Sequence, residues 1–230
     1  MCVTSPEATM NIIAHIHTDF STKFGIPRQS GIVPRLTGKI VFIPEYRHPD
    51  ALRGLDSFSH LWLLWEFSET VRSDWSPTVR PPRLGGNKRM GVFATRSPFR
   101  PNPIGLSCVQ LDNIEWNTPE GAVLHVSGID LMNGTPIYDI KPYIAYTDSR
   151  PDASGGFTDS AEFEKLTVDF PESLLQQIPQ EKQEALLAVL AHNPRPTYQN
   201  DPMRVYGLLF AGFDVRFVVE GSEVRVVEIG

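Results

Sequence analysis

Two cysteines, Cys2 and Cys108, are all the thiol chemistry in this chain. That number cannot build a disulfide framework, and with no Cys-x-x-Cys pair neither a thiolate zinc site nor a dithiol redox centre is expected. Long apolar runs are missing too. The longest strongly apolar stretch is Leu61-Trp62-Leu63-Leu64-Trp65, far short of the roughly 20 residues a membrane helix needs. The first residues, Met1 to Glu7, have neither a basic nor an apolar leader region, so a cytoplasmic location without a secretory signal is the expectation. No G-x-G-x-x-G or P-loop string occurs, which argues against a doubly wound nucleotide fold. The G-x-S-x-G elbow of common esterases is absent as well.

What remains is an ordinary globular composition. Of 230 residues, 41% are hydrophobic and 21% charged, enough to offset ordering entropy by burial in one large domain, or a large one with a smaller companion. The chain has 20 Pro and 17 Gly, with proline near twice its usual share of about 5%. Long helices are therefore not expected in the first part. Short apolar or alternating runs at 12–16, 39–43, 60–67, 90–95, 106–111 and 123–129 read as strands of a sheet or barrel. Long Pro, Arg and Gly-rich connections, notably 75–89 and 96–105, are where sites usually sit on a β scaffold.

Residues 148–160 are polar and small and read as a linker. A second unit is expected from about Phe163. Helices are expected over 171–178 and 180–191, the second with an apolar stripe of Leu186, Val189 and Leu190. Strands follow at 205–210, 215–220 and 224–229, the last two joined by a Glu220-Gly221-Ser222-Glu223 hairpin turn.

A net charge of -6 argues, taken alone, against a nucleic-acid binder. Between Arg72 and Arg100, however, seven basic residues (Arg72, Arg80, Arg83, Lys88, Arg89, Arg96, Arg100) face the single Asp74, a local charge of +6 that leaves -12 on the remainder. Either a basic face or a solvated loop paired with distant acids fits that pattern. Gly85 and Gly86 fit an anion-binding nest or a plain turn. His15 and His17 share a strand face but have no third ligand nearby, so no metal is expected. His60 suits a hydrogen-bonded core position or a catalytic one. In residues 95–105, three prolines stiffen a backbone that presents two arginines and an asparagine, an arrangement that positions a polar ligand at low entropic cost. Residues 128–143 combine Asp130 with an Asn133-Gly134 turn and then Tyr138, Asp139 and Lys141, either as a second binding segment or as a turn with surface charges.

Four blocks, PRQSG at 27–31, DSFSHLWLL at 56–64, RPPRLGGNKRMGVFATRSPFRPNPIGLS at 80–107 and DLMNGTPIYDIKPY at 130–143, together resemble the TrmO, or TsaA-like, family. DPMRVYGLLFAGFDVRFVVEG at 201–221 resembles the small extra domain of its longer bacterial members. The resemblance implies a mainly β protein: a compact β-barrel methyltransferase domain over 10–150, a linker over 151–162 and a small α+β carboxyl-terminal domain over 163–230 that assists tRNA binding or caps the barrel. Residues 1–9 are then an extension, with Met10 as the alternative start.

The activity implied is methyl transfer from S-adenosylmethionine to N6 of N6-threonylcarbamoyladenosine, beside the anticodon of tRNA, by a homodimer that uses no metal and no membrane. Cofactor contacts carried over are Pro27, Arg28, Gln29, Phe67, Ser68, Arg96, Leu106, Asp130, Leu131, Met132 and Asn133. A sulfonium calls for carboxylate and carbonyl oxygens, supplied by Asp130, and the methionine carboxylate calls for Arg96 or Arg28. Methyl transfer is an in-line displacement that needs alignment, exclusion of water and one proton acceptor. Tyr138, Asp139 and Lys141 are the candidates for accepting the proton or orienting the base. Arg83, Lys88, Arg89 and Arg100 are expected to hold tRNA phosphates, and Phe99 or Tyr138 to stack on the target base. The rival readings are a non-catalytic cofactor- or RNA-binding module and the same fold acting on another substrate.

Overall fold

The computed structural model describes residues 10–70, 75–81, 88–159, 165–195 and 201–230. In chain order its strands are β1 (Ala14–Thr18), β2 (Thr37–Phe42), β3 (His60–Glu66), β4 (Thr78–Val79), β5 (Met90–Gly91), β6 (Ile104–Thr118), β7 (Gly121–Ser127), β8 (Thr135–Pro142), β9 (Thr167–Asp169), β10 (Tyr206–Phe210), β11 (Phe213–Glu220) and β12 (Glu223–Ile229). Its helices are α1 (Ala145–Asp148), α2 (Glu172–Leu175) and α3 (Gln180–Ala191).

Strand β3 shows why a barrel forms. Leu61, Leu63 and Trp65 are buried while His60, Trp62, Leu64 and Glu66 are half-buried, the period-two pattern of a strand with one face on a core. Six such strands close in the order β1-β2-β7-β6-β3-β8, every neighbouring pair antiparallel, with β8 returning to β1 through Ala14 opposite Ile137. Closure removes the open edges on which sheets aggregate. The interior is filled by Ala14, Ile16, Ile40, Leu61, Leu63, Leu124, Val126 and Ile137.

Three elements differ from the sequence reading. Strand β8 is not among the strands expected from the sequence, which reads 128–143 as a binding segment or a turn with surface charges; TPIYDIKP carries two prolines, and its broken alternation is a bulge opposite Leu64 and Trp65. The strand expected over 90–95 shrinks to a two-residue pairing of β5 with β4, after which Val92–Ala94 forms a 3-10 turn. Strand β6 runs for 15 residues instead of six, its register against β7 shifting at Leu111/Asn113 and Glu115/Thr118. Cys108, in the middle of β6, is only half-buried.

The second unit is a sheet ordered β10-β11-β12-β9, in which β9 runs parallel to β12. Helix α3 buries Ala185, Leu186, Val189 and Leu190, the expected stripe with one alanine added. The expected helix over 171–178 is shorter, one turn at α2. Its core residues Leu208, Phe210, Val215 and Phe217 belong to one hydrophobic cluster with those of the barrel.

A candidate active site at one end of the barrel

Strands β3 and β7 end, and β6 and β8 begin, at the same end of the barrel. The site is built there from a close backbone approach. Gly105 of β6 stands opposite Trp65 of β3, and a Cβ at Gly105 would lie 2.2 Å from the indole. The ring therefore lies across the glycine. Its Nε1–H donates to Ser107 Oγ at 2.9 Å, and Ser107 Oγ donates to Asp130 Oδ1 at 2.6 Å. Burial pushes the Asp130 carboxyl up to about 6, against the opposing pull of the Ser107 hydroxyl, backbone N–H groups including that of Ser30, and the Arg96 guanidinium.

The other cofactor candidates gather around this carboxylate. Arg96 donates to Gln29 Oε1, and the Gln29 amide donates to the Arg28 carbonyl. The next residue, Ser30, accepts the Cys108 N–H at 3.0 Å, so the 27–30 loop is pinned to β6. Asn133 Oδ1 accepts the Thr18 N–H at 3.1 Å and Thr18 Oγ1 donates to the Leu131 carbonyl at 3.1 Å, fixing 130–133 to the end of β1. Leu131 is buried and Met132 half-buried. Phe67 packs against Trp65 with tilted rings, centroids 4.3 Å apart, and its N–H donates to the Pro103 carbonyl. Pro27 is half-buried, whereas Arg28 and Ser68 are exposed. Leu106 leaves half of its surface in solvent, an apolar side chain open at the rim. The cluster thus offers guanidinium groups, one half-buried carboxylate and an apolar rim, the donor set for a ligand that carries both an anionic and a cationic group.

Tyr138, Asp139 and Lys141 are not in this cluster. Asp139 and Lys141 pair with Leu64 and Trp62 on the outer wall, where Lys141 Nζ meets Asp139 Oδ2 at 2.8 Å. Tyr138 and Asp139 line a cleft of about 380 Å³ with Met10, Asn11, Ile13, Tyr46 and Leu64. Burial and a hydrogen bond to Glu66 push the Tyr138 phenol up to about 12. Glu66 immediately precedes Phe67 and Ser68 and so links the wall to the cofactor end.

Among the basic candidates, Arg83 lies outside the described residues, as do Arg72, Asp74, Gly85 and Gly86. Lys88 and Arg89 are exposed, Arg89 donating to Thr78 Oγ1 at 2.9 Å. Arg100 donates to the Thr95 and Ser97 carbonyls, so it shapes its own loop. Phe99 is partly exposed, and its N–H donates to Ser97 Oγ. His60 contacts Ser59 Oγ and the Tyr143 ring, a structural role. Among the described residues no group of three metal-ligating side chains forms, and no helix is long and apolar enough to cross a membrane.

Sequence reasoning missed Trp65, Ser107, Ser30 and Glu66, which meet the site only through barrel register. It also missed an exposed aromatic pair, Trp75 and Phe93, with ring centroids 6.1 Å apart. The one available signal was Gly105 in an otherwise strand-forming run.

A closed barrel with a half-buried carboxylate and arginines at one end defines a cofactor-binding enzyme outside the doubly wound class. Residues 15–149 match the tRNA-methyltransferase O N-terminal domain and residues 163–230 the TrmO C-terminal domain, so the chain belongs to the TrmO family. It is 42% identical over 226 residues to the tRNA (adenine(37)-N6)-methyltransferase of Escherichia coli K12, covering 94% of this chain and 96% of that protein. A Pseudomonas aeruginosa protein described as a putative S-adenosylmethionine-dependent methyltransferase is 39% identical, with 94% and 95% covered. The crystal structure of TrmO from P. aeruginosa superposes with a TM-score of 0.79 at 33% identity, covering 99% of both chains.

Proposed function

We propose that this chain transfers a methyl group from S-adenosylmethionine to N6 of adenosine 37 in tRNA, and that its substrate is the N6-threonylcarbamoyl form of that base. The reading is carried by the Arg96–Gln29 pair beside half-buried Asp130, in a chain that matches a tRNA N6-methyltransferase along nearly its whole length. Asp130 would hold the sulfonium, and Arg96 and Arg28 would hold the methionine carboxylate. The cofactor supplies the electrophilic methyl. The protein's part is to hold that methyl in line with N6 and keep water away.

The proton on N6 of threonylcarbamoyladenosine is flanked by a purine and a carbonyl, which makes it acidic enough for a weak base. Asp139, oriented by Lys141, is the proposed acceptor, with Tyr138 donating to Glu66 beside it. Replacing Asp139 with asparagine is expected to leave cofactor binding intact and to slow turnover by about a hundredfold, the low end for lost general base catalysis. Unchanged turnover removes Asp139 from the mechanism. Lys88 and Arg89, together with Arg83, are proposed to hold phosphates, with Phe99 and Arg100 shaping the loop that presents the base. Units spanning 10–150 and 163–230, assembled as a homodimer in the cytoplasm, complete the proposal.

The test is transfer of labelled methyl from S-adenosylmethionine to tRNA with and without the threonylcarbamoyl group. Label only in the modified tRNA is the expected result. Cofactor binding with label in neither identifies a binding module, and label in both overturns the proposed prerequisite.

A further inference from the structure

The connection between β1 and β2, residues 19–36, has two neighbours. On one side it carries Pro27, Arg28 and Gln29 into the cofactor cluster. It is tied down there by Ser30 Oγ, which accepts the Cys108 N–H at 3.0 Å, and by Gly31, whose N–H donates to the Gly128 carbonyl at 2.8 Å. On the other side it is gripped by the carboxyl-terminal unit. Lys182 Nζ on α3 meets Asp19 Oδ2 at 2.6 Å, a largely buried pair, and the Ala211 N–H between β10 and β11 donates to the Asp19 carbonyl at 2.9 Å. Phe20 meets Phe210 edge to face at 5.4 Å, both fully buried. Phe24 stacks on Tyr206 and on Phe217, each at 6.5 Å. Gly25 has φ +86°, and a Cβ there would lie 2.3 Å from Leu208 Cδ1. The sheet therefore leaves no room for a side chain two residues before Pro27.

We propose that the carboxyl-terminal unit is a positioning element for the cofactor site: by holding residues 19–25 it sets the placement of residues 27–30 and is energetically coupled to S-adenosylmethionine binding. The proposal rests on the cofactor reading above. In the free energy of binding, coupling is reciprocal. If the second unit improves cofactor affinity, bound cofactor must stabilise the grip of the second unit on the loop by the same factor. A surface that only receives tRNA predicts neither effect.

Two measurements test it. In Lys182→Glu, two carboxylates face each other at Asp19. S-adenosylmethionine affinity, read by titration calorimetry, is expected to fall about tenfold, near the lower end of site-to-site coupling, with tRNA affinity unchanged. Exchanging the charges, Asp19→Lys with Lys182→Asp, is expected to restore most of the loss. In the unaltered protein, adding S-adenosylmethionine is expected to slow hydrogen exchange of the Ala211 amide, a readout that needs no variant. Unchanged cofactor affinity in Lys182→Glu, a loss confined to tRNA affinity, or no change in Ala211 exchange overturns the coupling. Failure of the unaltered protein to bind S-adenosylmethionine overturns the cofactor reading along with it.

Discussion

Asp130→Asn is expected to stabilise the unliganded protein near neutral pH while weakening S-adenosylmethionine binding about a hundredfold, the 2–3 kcal/mol typical of a contact to a charged group. The two effects have one cause. Burial holds the folded carboxyl near 6, above its usual 3.8, so the fold favours the protonated form. The ionised form costs stability, on the order of 3 kcal/mol as an upper bound. With the folded value raised, that cost is fully present above about pH 6 and is relieved as pH falls from 6 toward 3.8. The asparagine variant removes it at neutral pH and can still accept the Ser107 hydroxyl. A sulfonium, by contrast, needs the ionised carboxylate. Cofactor affinity in the unaltered protein should therefore weaken as pH drops below about 6, and in Asp130→Asn it should be weak and flat over the same range. Melting curves and calorimetric titrations between pH 5 and roughly 8 check both halves. A variant that is less stable contradicts the cost assigned to the ionised carboxylate, and one that binds as well as the unaltered protein removes Asp130 from the cofactor site.

Gly105→Ala is expected to cost about 2–3 kcal/mol of stability, the upper range for overpacking a filled site. For a chain of this size that is a fall in melting temperature of roughly 4–12 °C. The added methyl meets the Trp65 indole at 2.2–2.5 Å, and the ring has little freedom to yield because it is buried and hydrogen-bonded to Ser107. Displacing it also takes the donor from Ser107, and so loosens the hydroxyl that Asp130 depends on. Cofactor affinity should fall together with stability, even at temperatures where the variant is folded. Trp65→Phe separates the contributions, since it keeps an aromatic ring in the barrel but has no N–H for Ser107. An unchanged melt in Gly105→Ala shows that the ring moves aside and that the close approach is not what fixes the site.

These two residues mark the boundary of what was legible in the sequence. The alternation in β3 and the stripe on α3 are local patterns with periods of 2 and 3.6, and they read correctly from the residues alone. Asp130, Arg96 and Gln29 were singled out through the resemblance of their surrounding motifs, and the fold places Arg96 against Gln29 and near Asp130. The Trp65–Ser107–Asp130 chain was illegible because its members lie on three different segments and meet only when β3 registers on β6. Strand β8 was hidden by Pro136, Pro142 and a bulge, features that local reading assigns to turns. The outward placement of Asp139 and Lys141 follows from that same strand, so it too was out of reach until the register was known.

The methyl group is expected to end on N6 of the modified adenosine 37, which mass spectrometry of nucleosides digested from tRNA, after reaction with the protein and S-adenosylmethionine, reads out. The predicted result is conversion of N6-threonylcarbamoyladenosine to a species one methyl heavier, with the added group retained on the base and every other nucleoside unchanged. Unaltered threonylcarbamoyladenosine, or a methyl found on any other nucleoside, would contradict it.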